Sequence, residues 1–541
     1  MPVQRLSKRP EDLRDHYEIV VIGSGYGGAI AASRLARAKR EVCLLERGRE
    51  FQPGEYPRTE FEGLREIQYN TPVGHLGSRL GLFELHLNQD MNALVGCGLG
   101  GTSLINANVS LRPDQRVWRQ AKWPRGLLDD LTTRVEDGYR HATEMLRPTP
   151  LPADYAQLPK LEALQKSAAG LGWAGKFSRP PINVTFADGI NHVGVEQKRC
   201  TGCGDCVSGC NYAAKNTTLM NYLPDAVAHG AEIFTGIDVR AIARRGDKWI
   251  VDYQPLGVGR EDFAAPELFI TADIVIVAAG TLGSSQLLLR SKARGLALSD
   301  RVGEGLSGNG DVLAFGYNTN TPINGIGFGA KPPGEIAPVG PCIAGLIDNR
   351  DTADLRDGFV IEEGSVPGAI GRMMPEILET AGEVIGKRTG AGPGDWLREK
   401  ERAAESLLRG PYHGAVANTQ TYLVMAHDDA AGKMSLVEDR LRIAWPGVGS
   451  EPIFRTANDT LTRATAALGG SRSRHPGAGG SRRRPGAGPP AGRSPVASRS
   501  TCPPRGAARR RRRCRSNVRP RRTRTSPSPR SGRPSGRGCC S

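Results

Sequence analysis

The chain has 541 residues and a formal net charge of +17, more length than one core usually holds and a sign that invites a nucleic-acid partner. The charge is not evenly spread: residues 471–541 carry 21 arginines and no Lys, Asp or Glu, which leaves 52 basic against 56 acidic side chains in residues 1–470. A slightly acidic body excludes a basic nucleic-acid-binding surface as its organising feature. The last 71 residues also lack Ile, Leu, Met, Phe, Trp and Tyr, so they cannot bury enough apolar surface to offset their ordering entropy. They are expected as a disordered Arg/Pro/Gly/Ser-rich tail.

Residues 1–15 are charged and hold no apolar stretch, and no run of about 18 apolar residues exists anywhere. Neither an export signal nor a membrane span is expected. Seven of the eleven cysteines lie in the body and four are packed into Cys200–Cys210, a metal-like rather than disulfide-like arrangement. A cytoplasmic protein follows as the expectation.

In chain order, Tyr17 to Ile22 is a short apolar run of buried-strand character, followed by Gly23-Ser-Gly-Tyr-Gly-Gly28. Ala29 to Ala38 then predicts a helix and Glu41 to Glu46 a second strand, so the chain opens with a βαβ unit. A second glycine-dense stretch runs from Leu94 to Val109. Residues 120–170 predict helices and loops, with Trp118 and Trp123 as packing residues. Ala231 to Tyr253 predicts paired strands turning at Gly246-Asp247, and Ala272 to Gly280 a buried strand followed by a helix through Arg290.

Gly23-x-Gly25-x-x-Gly28 is a weak signal alone, but here it follows a strand and opens a helix. Glu46 ends the next strand 21 residues past Gly25, close to the spacing of a ribose-binding carboxylate. Gly23 permits the tight turn, Gly25 lets backbone approach a pyrophosphate, and Gly28 allows close helix–strand packing. The free N–H groups of the helix start favour the phosphates, and Glu46 would repel a 2′-phosphate. This unit alone does not separate FAD from NAD.

Further motifs do. Gly96-Cys-Gly-Leu-Gly-Gly-Thr-Ser-Leu-Ile-Asn-Ala-Asn108 with Val109-Ser-Leu-Arg-Pro113, and Ala279-Gly-Thr-Leu-Gly-Ser-Ser-Gln-Leu-Leu-Leu-Arg290, resemble the two signature motifs of the glucose–methanol–choline (GMC) oxidoreductases. Asp300 to Asp311, Lys215-Asn-Thr and Asn221 to Ala226 resemble flavin-proximal segments of the cholesterol and steroid oxidase branch. The resemblance spans about residues 15–470. It implies an α/β fold in which a Rossmann-like FAD-binding domain with a parallel sheet (1–120 and 220–315) is interleaved with an α+β substrate domain (121–219 and 316–470). The tail, 471–541, stands outside it. Residue by residue, Gly23, Gly25, Gly28 and Glu46 would hold the ADP half of FAD. Gly101, Thr102, Asn106 and Ala107 would line the isoalloxazine, Val239 would offer backbone to the adenine, and Gly280 would close over the pyrophosphate.

Cys200-x-x-Cys203-x-x-Cys206-x-x-x-Cys210 has ferredoxin-like spacing, but Asn211 stands where proline normally follows the fourth ligand. An iron–sulfur cluster such as [4Fe-4S], a zinc ion held by all four, and ordinary buried thiols remain open.

The resemblance implies oxidation of an alcohol, of sterol or steroid type, by hydride transfer to flavin, with O2 or another redox acceptor reoxidising it. It also implies that Glu362, five residues before Pro367, is the glutamate that isomerises the steroid double bond, with Glu363 the alternative. The family's general base is a histidine in a C-terminal His-Pro-Leu-Gly-Gly segment. His475, in His-Pro-Gly-Ala, matches it poorly, and no Asn-Pro element follows. Codons that fit Gly488 to Arg493 also encode Val-His-Pro-Leu-Gly-Gly one base later, and Arg510 to Arg515 permits Val-Val-Asp-Ala-Ala-Gly in the same frame. A frameshift just after Gly470 is therefore expected, with weak FAD retention and little alcohol oxidation as its result. The competing readings are a nucleic-acid binder through Arg509 to Arg513 and an inactive pseudoenzyme. The tail has no aromatics for base stacking, so no nucleic acid is expected as partner.

Overall fold

The computed structural model describes residues 5–473, apart from 261, 262, 264, 377, 379–392 and 470. The expected disordered tail lies outside the described residues from 474 onward. Its first residues do not follow the expectation: Ser471–Ser473 forms a strand.

The apolar run near the N-terminus folds as the strand His16–Ile22 and leads into the helix Tyr26–Arg37 and the strand Val42–Leu45. These are the centre of a seven-stranded sheet in the order 7–8, 232–234, 42–45, 16–22, 268–277, 248–255, 237–245. The first five strands run parallel, and the last two continue antiparallel as the hairpin that turns at Gly246-Asp247. Strand residues alternate between faces. Ile19 and Val21 pack with Ala29, Ala32 and Leu223 under the helices Tyr26–Arg37 and Tyr222–Ala228. Val20 and Ile22 pack with Phe234, Val251 and Leu287 on the other face, where the helix Gly280–Ala293 lies. Both faces are covered, so the strand is apolar at every position from Ile19 to Ile22 rather than alternating.

A second, six-stranded sheet is antiparallel throughout, in the order 471–473, 312–317, 420–426, 359–364, 346–349, 177–178. One face is covered by the helices Pro159–Gly170 and Pro452–Ala466, through Leu164, Ala168, Ile361, Tyr422, Val424 and Leu461. The opposite face carries Leu313, 44% exposed, in register with Leu423 and, one strand further, Glu362. Smaller sheets, of strands 67–96 and of strands 304–306 with 432–444, pack together through Ala93, Val95, Leu306 and Met434. Trp118 and Trp123 stack on each other, ring centroids 4.8 Å apart. Among the described residues, no helix is long and apolar enough to cross a membrane.

Candidate functional site

The strand His16–Ile22 ends in a turn whose glycines are fixed by packing. Gly23 has φ +97°, and a Cβ there would lie 2.6 Å from the Ala278 carbonyl oxygen; a Cβ on Gly28 would lie 1.9 Å from the Gly23 oxygen. Gly25 and Gly27 face open space, with no atom within 4 Å of a Cβ position. The helix beginning at Tyr26 has no side-chain cap, so its first amides are left to a ligand or solvent. Glu46 closes the turn: its Oε2 accepts from Ser24 N at 3.0 Å and Ser24 Oγ at 2.6 Å, and its Oε1 from Gly48 N at 2.8 Å. Burial raises the Glu46 pKa against the opposing pull of Ser24.

The 96–108 loop lies over this turn. A Cβ on Gly101, itself at φ +55°, would lie 2.9 Å from Gly25 Cα, and Gly100 N donates to Ser24 Oγ at 2.8 Å. Thr102 Oγ1 accepts from Gly96 N at 3.1 Å and closes the loop on itself. Asn106 Nδ2 donates to the Tyr26 hydroxyl at 3.0 Å. Asn106 Oδ1 and both polar side-chain atoms of Asn108 are buried without a hydrogen-bond partner, an arrangement that costs free energy unless a ligand supplies the missing group. Ala107 and Val109 pack against Cys206, Cys342 and Ile343, and Leu423 joins the same cluster. Gly280 begins its helix in open space, next to Ala278 and Ala279 against which Gly23 packs. Val239 is half-buried at a bulge in its strand, two residues beyond Ile237, whose N–H donates to the Glu46 carbonyl at 3.0 Å. Gly23, Gly25, Gly28, Glu46, Gly101, Thr102, Asn106, Ala107 and Gly280 thus come to one region, with Val239 on the strand whose Ile237 meets the Glu46 carbonyl. The open glycines, the uncapped helix and the orphaned amide atoms fit a dinucleotide with a planar ring.

Four polar groups that spacing did not single out tie the loops together. Ser24 bridges Glu46 and Gly100. Thr218 Oγ1 donates to the Ser24 and Gly100 carbonyls at 3.3 and 3.4 Å, and Ser103 Oγ to the Gly100 carbonyl at 2.6 Å. Lys215, 2% exposed, donates to the carbonyls of Leu104, Asn106 and Cys206 at 2.9, 2.7 and 3.0 Å.

For Cys200, Cys203, Cys206 and Cys210 an iron–sulfur cluster, a zinc ion and buried thiols are the expectations from sequence. Among the described residues, no three His, Cys, Asp or Glu side chains are placed to hold a metal ion. The thiols turn into different apolar clusters: Cys200 and Cys210 against Ile182 and Val184, Cys203 against Phe328 and Val339, Cys206 against Cys342 and Ile343. Burial pushes the Cys200 thiol up to about 12 and those of Cys203 and Cys210 upward as well, with the neighbouring thiols of the run adding to the shift. The loop is held by Asp205, which accepts from Gly368 N at 2.7 Å and Gly329 N at 3.0 Å.

On the opposite face of the six-stranded sheet, Leu423 packs into the same cluster as Ala107 of the 96–108 loop. Glu362 pairs across the ladder with Leu423, is 1% exposed, and has neither carboxyl oxygen hydrogen-bonded. Burial, then Glu363 and Asp311, push its carboxyl up to about 8. Glu363 points the other way, into the covered face, where it pairs with Lys160 at 2.9 Å, both side chains fully buried. Asp311 keeps open surface, yet loss of hydration, followed by the charge of Asp428, pushes it up to about 6.

The sequence pattern of the GMC oxidoreductases matches residues 17–308. The chain is 29% identical over 315 residues to a cholesterol oxidase of Mycobacterium tuberculosis (54% of this chain, 51% of that protein). It is 28% identical over 317 residues to one from Acinetobacter baumannii (55% of each). A long-chain-alcohol oxidase, FAO3, of Arabidopsis thaliana is 25% identical over 331 residues (60% and 40%). The chain spans about half the length of the cholesterol oxidases it matches. Pyridoxine 4-oxidase from Mesorbium loti aligns in structure over 85% of this chain and 82% of its own, at 15% identity and a TM-score of 0.48. With the matched pattern covering more than half of its residues, the chain belongs to the GMC oxidoreductase family.

Proposed function

We propose that the protein is an FAD-dependent oxidoreductase that oxidises the CH–OH group of an apolar alcohol, of sterol type, with Glu362 on the substrate side. The carrying observation is the unpartnered, buried carboxyl of Glu362, in register with Leu423, which packs into the same cluster of Cys206, Cys342 and Ile343 as Ala107. The names of the related cholesterol and long-chain-alcohol oxidases support an apolar alcohol as substrate.

FAD, when bound, supplies the hydride acceptor. In this reading Gly23, Gly25, Gly28 and Glu46 hold its ADP half, with Val239 beside the adenine and Gly280 over the pyrophosphate. Gly101, Thr102, Asn106 and Ala107 face its ring. Leu313 and Leu423 offer the apolar surface a sterol needs. Glu362, raised to about 8, is protonated at neutral pH. It loses its proton at low cost near its own pKa, and so is suited to move one between two carbons of an oxidised ring. The resemblance places the alcohol's base in a C-terminal histidine segment. If a frameshift has replaced that segment, oxidation by this chain is slow.

The test is anaerobic mixing of the FAD-loaded chain with cholesterol. The expected result is a perturbed flavin spectrum with slow bleaching, and in Glu362→Gln, bleaching without formation of the conjugated enone. A flavin spectrum that responds neither to sterols nor to long-chain alcohols would remove the reading.

A further inference from the structure

We infer that the Lys215 ammonium is a cofactor-positioning charge: it clamps the 104–106 backbone in its flavin-facing shape and favours the reduced, negatively charged state of a flavin bound there. The inference rests on the FAD part of the reading above and is independent of the alcohol.

Two fully buried lysines serve different ends in this molecule. Lys160 has a carboxylate, Glu363, at 2.9 Å. Lys215 has three backbone carbonyls and, among the described residues, no carboxylate. The titratable groups that act on it are the thiols of Cys206, Cys210 and Cys342, and burial, the dominant influence, pulls its pKa down to about 8. A buried cation held only by dipoles is costly, and its field is not cancelled by a neighbouring anion. That field reaches whatever docks against the loop it holds.

The position of the clamp makes this specific. One of its acceptors is the carbonyl of Asn106, whose side-chain oxygen is buried and unpartnered. Three residues further along the same strap, Thr218 donates to Ser24 and Gly100, and Ser24 holds Glu46. The 215–218 strap therefore touches both the turn at the ADP end and the loop at the ring end. Hydride transfer adds two electrons and one proton to the flavin, so its ring gains one negative charge. A preorganised cation beside that charge lowers the free energy of the reduced state.

The test compares FAD-loaded wild type with Lys215→Met, Lys215→Gln and Lys215→Arg, by FAD affinity and by the oxidised-to-reduced flavin ratio against a reference redox dye. The neutral variants are expected to bind FAD about tenfold more weakly and to shift the ratio about tenfold toward oxidised flavin, 29.6 mV for a two-electron couple. Lys215→Arg is expected to stay within about threefold of wild type, because it keeps the charge. If Lys215→Met does not fold, Lys215→Gln, which keeps a donor, carries the comparison. Neutral variants with the wild-type ratio, or Lys215→Arg falling with them, overturn the assignment while leaving FAD binding intact. Wild type that takes up no FAD removes the cofactor reading and the assignment together.

Discussion

The two large sheets carry their candidate sites in different ways. In the seven-stranded sheet both faces are covered, and the side chains of 19–22 only pack; the candidate cofactor loops lie beyond the strand ends. In the six-stranded sheet one face is covered by two long helices, while the other packs against helices at the Phe315 and Tyr317 end and carries Leu313 exposed. There the ionisable group projects from the middle of a strand. A doubly covered sheet can offer only its ends, whereas one with a partly covered face can also offer its surface. The contrast is sharpest at two adjacent residues, Glu363 on the covered face and Glu362 on the partly covered one.

Those neighbours are predicted to answer the same substitution with opposite signs. Glu363→Gln leaves the Lys160 ammonium buried without its carboxylate, and breaking such a pair costs about 3–5 kcal/mol. Urea denaturation should show that loss; a cost below about 1 kcal/mol would mean the pair is not buried as described. Glu362 has no partner to lose. Its folded pKa of about 8 lies above the ordinary 4.5, so its contribution is most favourable below about pH 4.5, where both states are protonated. Between pH 4.5 and 8 the unfolded state ionises first, and stability falls by up to about 1.4 kcal/mol per unit. Glu362→Gln removes that loss and should make the protein more stable than wild type at pH 8, by roughly 4 kcal/mol, and equal to it near pH 4. A parallel pH dependence in variant and wild type would sink the idea.

At the seven-stranded sheet the expected effect is smaller and falls on binding. Glu46→Gln keeps one acceptor for Ser24 and Gly48 but loses the charge that strengthens those hydrogen bonds. FAD affinity should drop about tenfold, or about 1.4 kcal/mol, measured by flavin fluorescence, with little change in the unfolding midpoint. A loss of stability without a loss of affinity would make Glu46 a packing residue only.

Much of the first sheet was legible in the sequence, because a strand buried on both faces is a continuous apolar run and a nucleotide turn has a glycine spacing. Glu46 followed from its distance along the chain. The approach of Gly101 to Gly25 did not follow from any spacing and rested on the resemblance. A C-x-x-C run sets how far apart thiols are along the chain, not which way they turn, and here they pack into three apolar clusters. Period-two alternation says that Glu362 and Glu363 face opposite ways, but not which face the helices cover. Lys215 was quoted only as part of a motif, since carbonyl acceptors leave no trace in sequence. Ser471–Ser473 has no apolar residue and joins the sheet through backbone pairing to Phe315–Tyr317, so composition placed it in the tail.

The smallest predicted effect tests whether Asp311 and Asp428 are electrostatically connected. Asp428 Oδ2 accepts from Gly308 N at 2.7 Å and Gly310 N at 3.0 Å and so fixes the turn that precedes Asp311. Asp428→Asn keeps an acceptor but loses its charge, a cost of about 1 kcal/mol. The same substitution removes a repulsion, because the Asp428 charge helps hold the Asp311 carboxyl up at about 6. At pH 5 Asp311 is mostly protonated, there is little repulsion to relieve, and the whole cost should appear. At pH 7 Asp311 is ionised and the relief offsets part of the cost, so the variant should lie closer to wild type at pH 7 than at pH 5. Equal costs at the two pH values, measured by urea denaturation, would show that the two carboxyls do not sense each other.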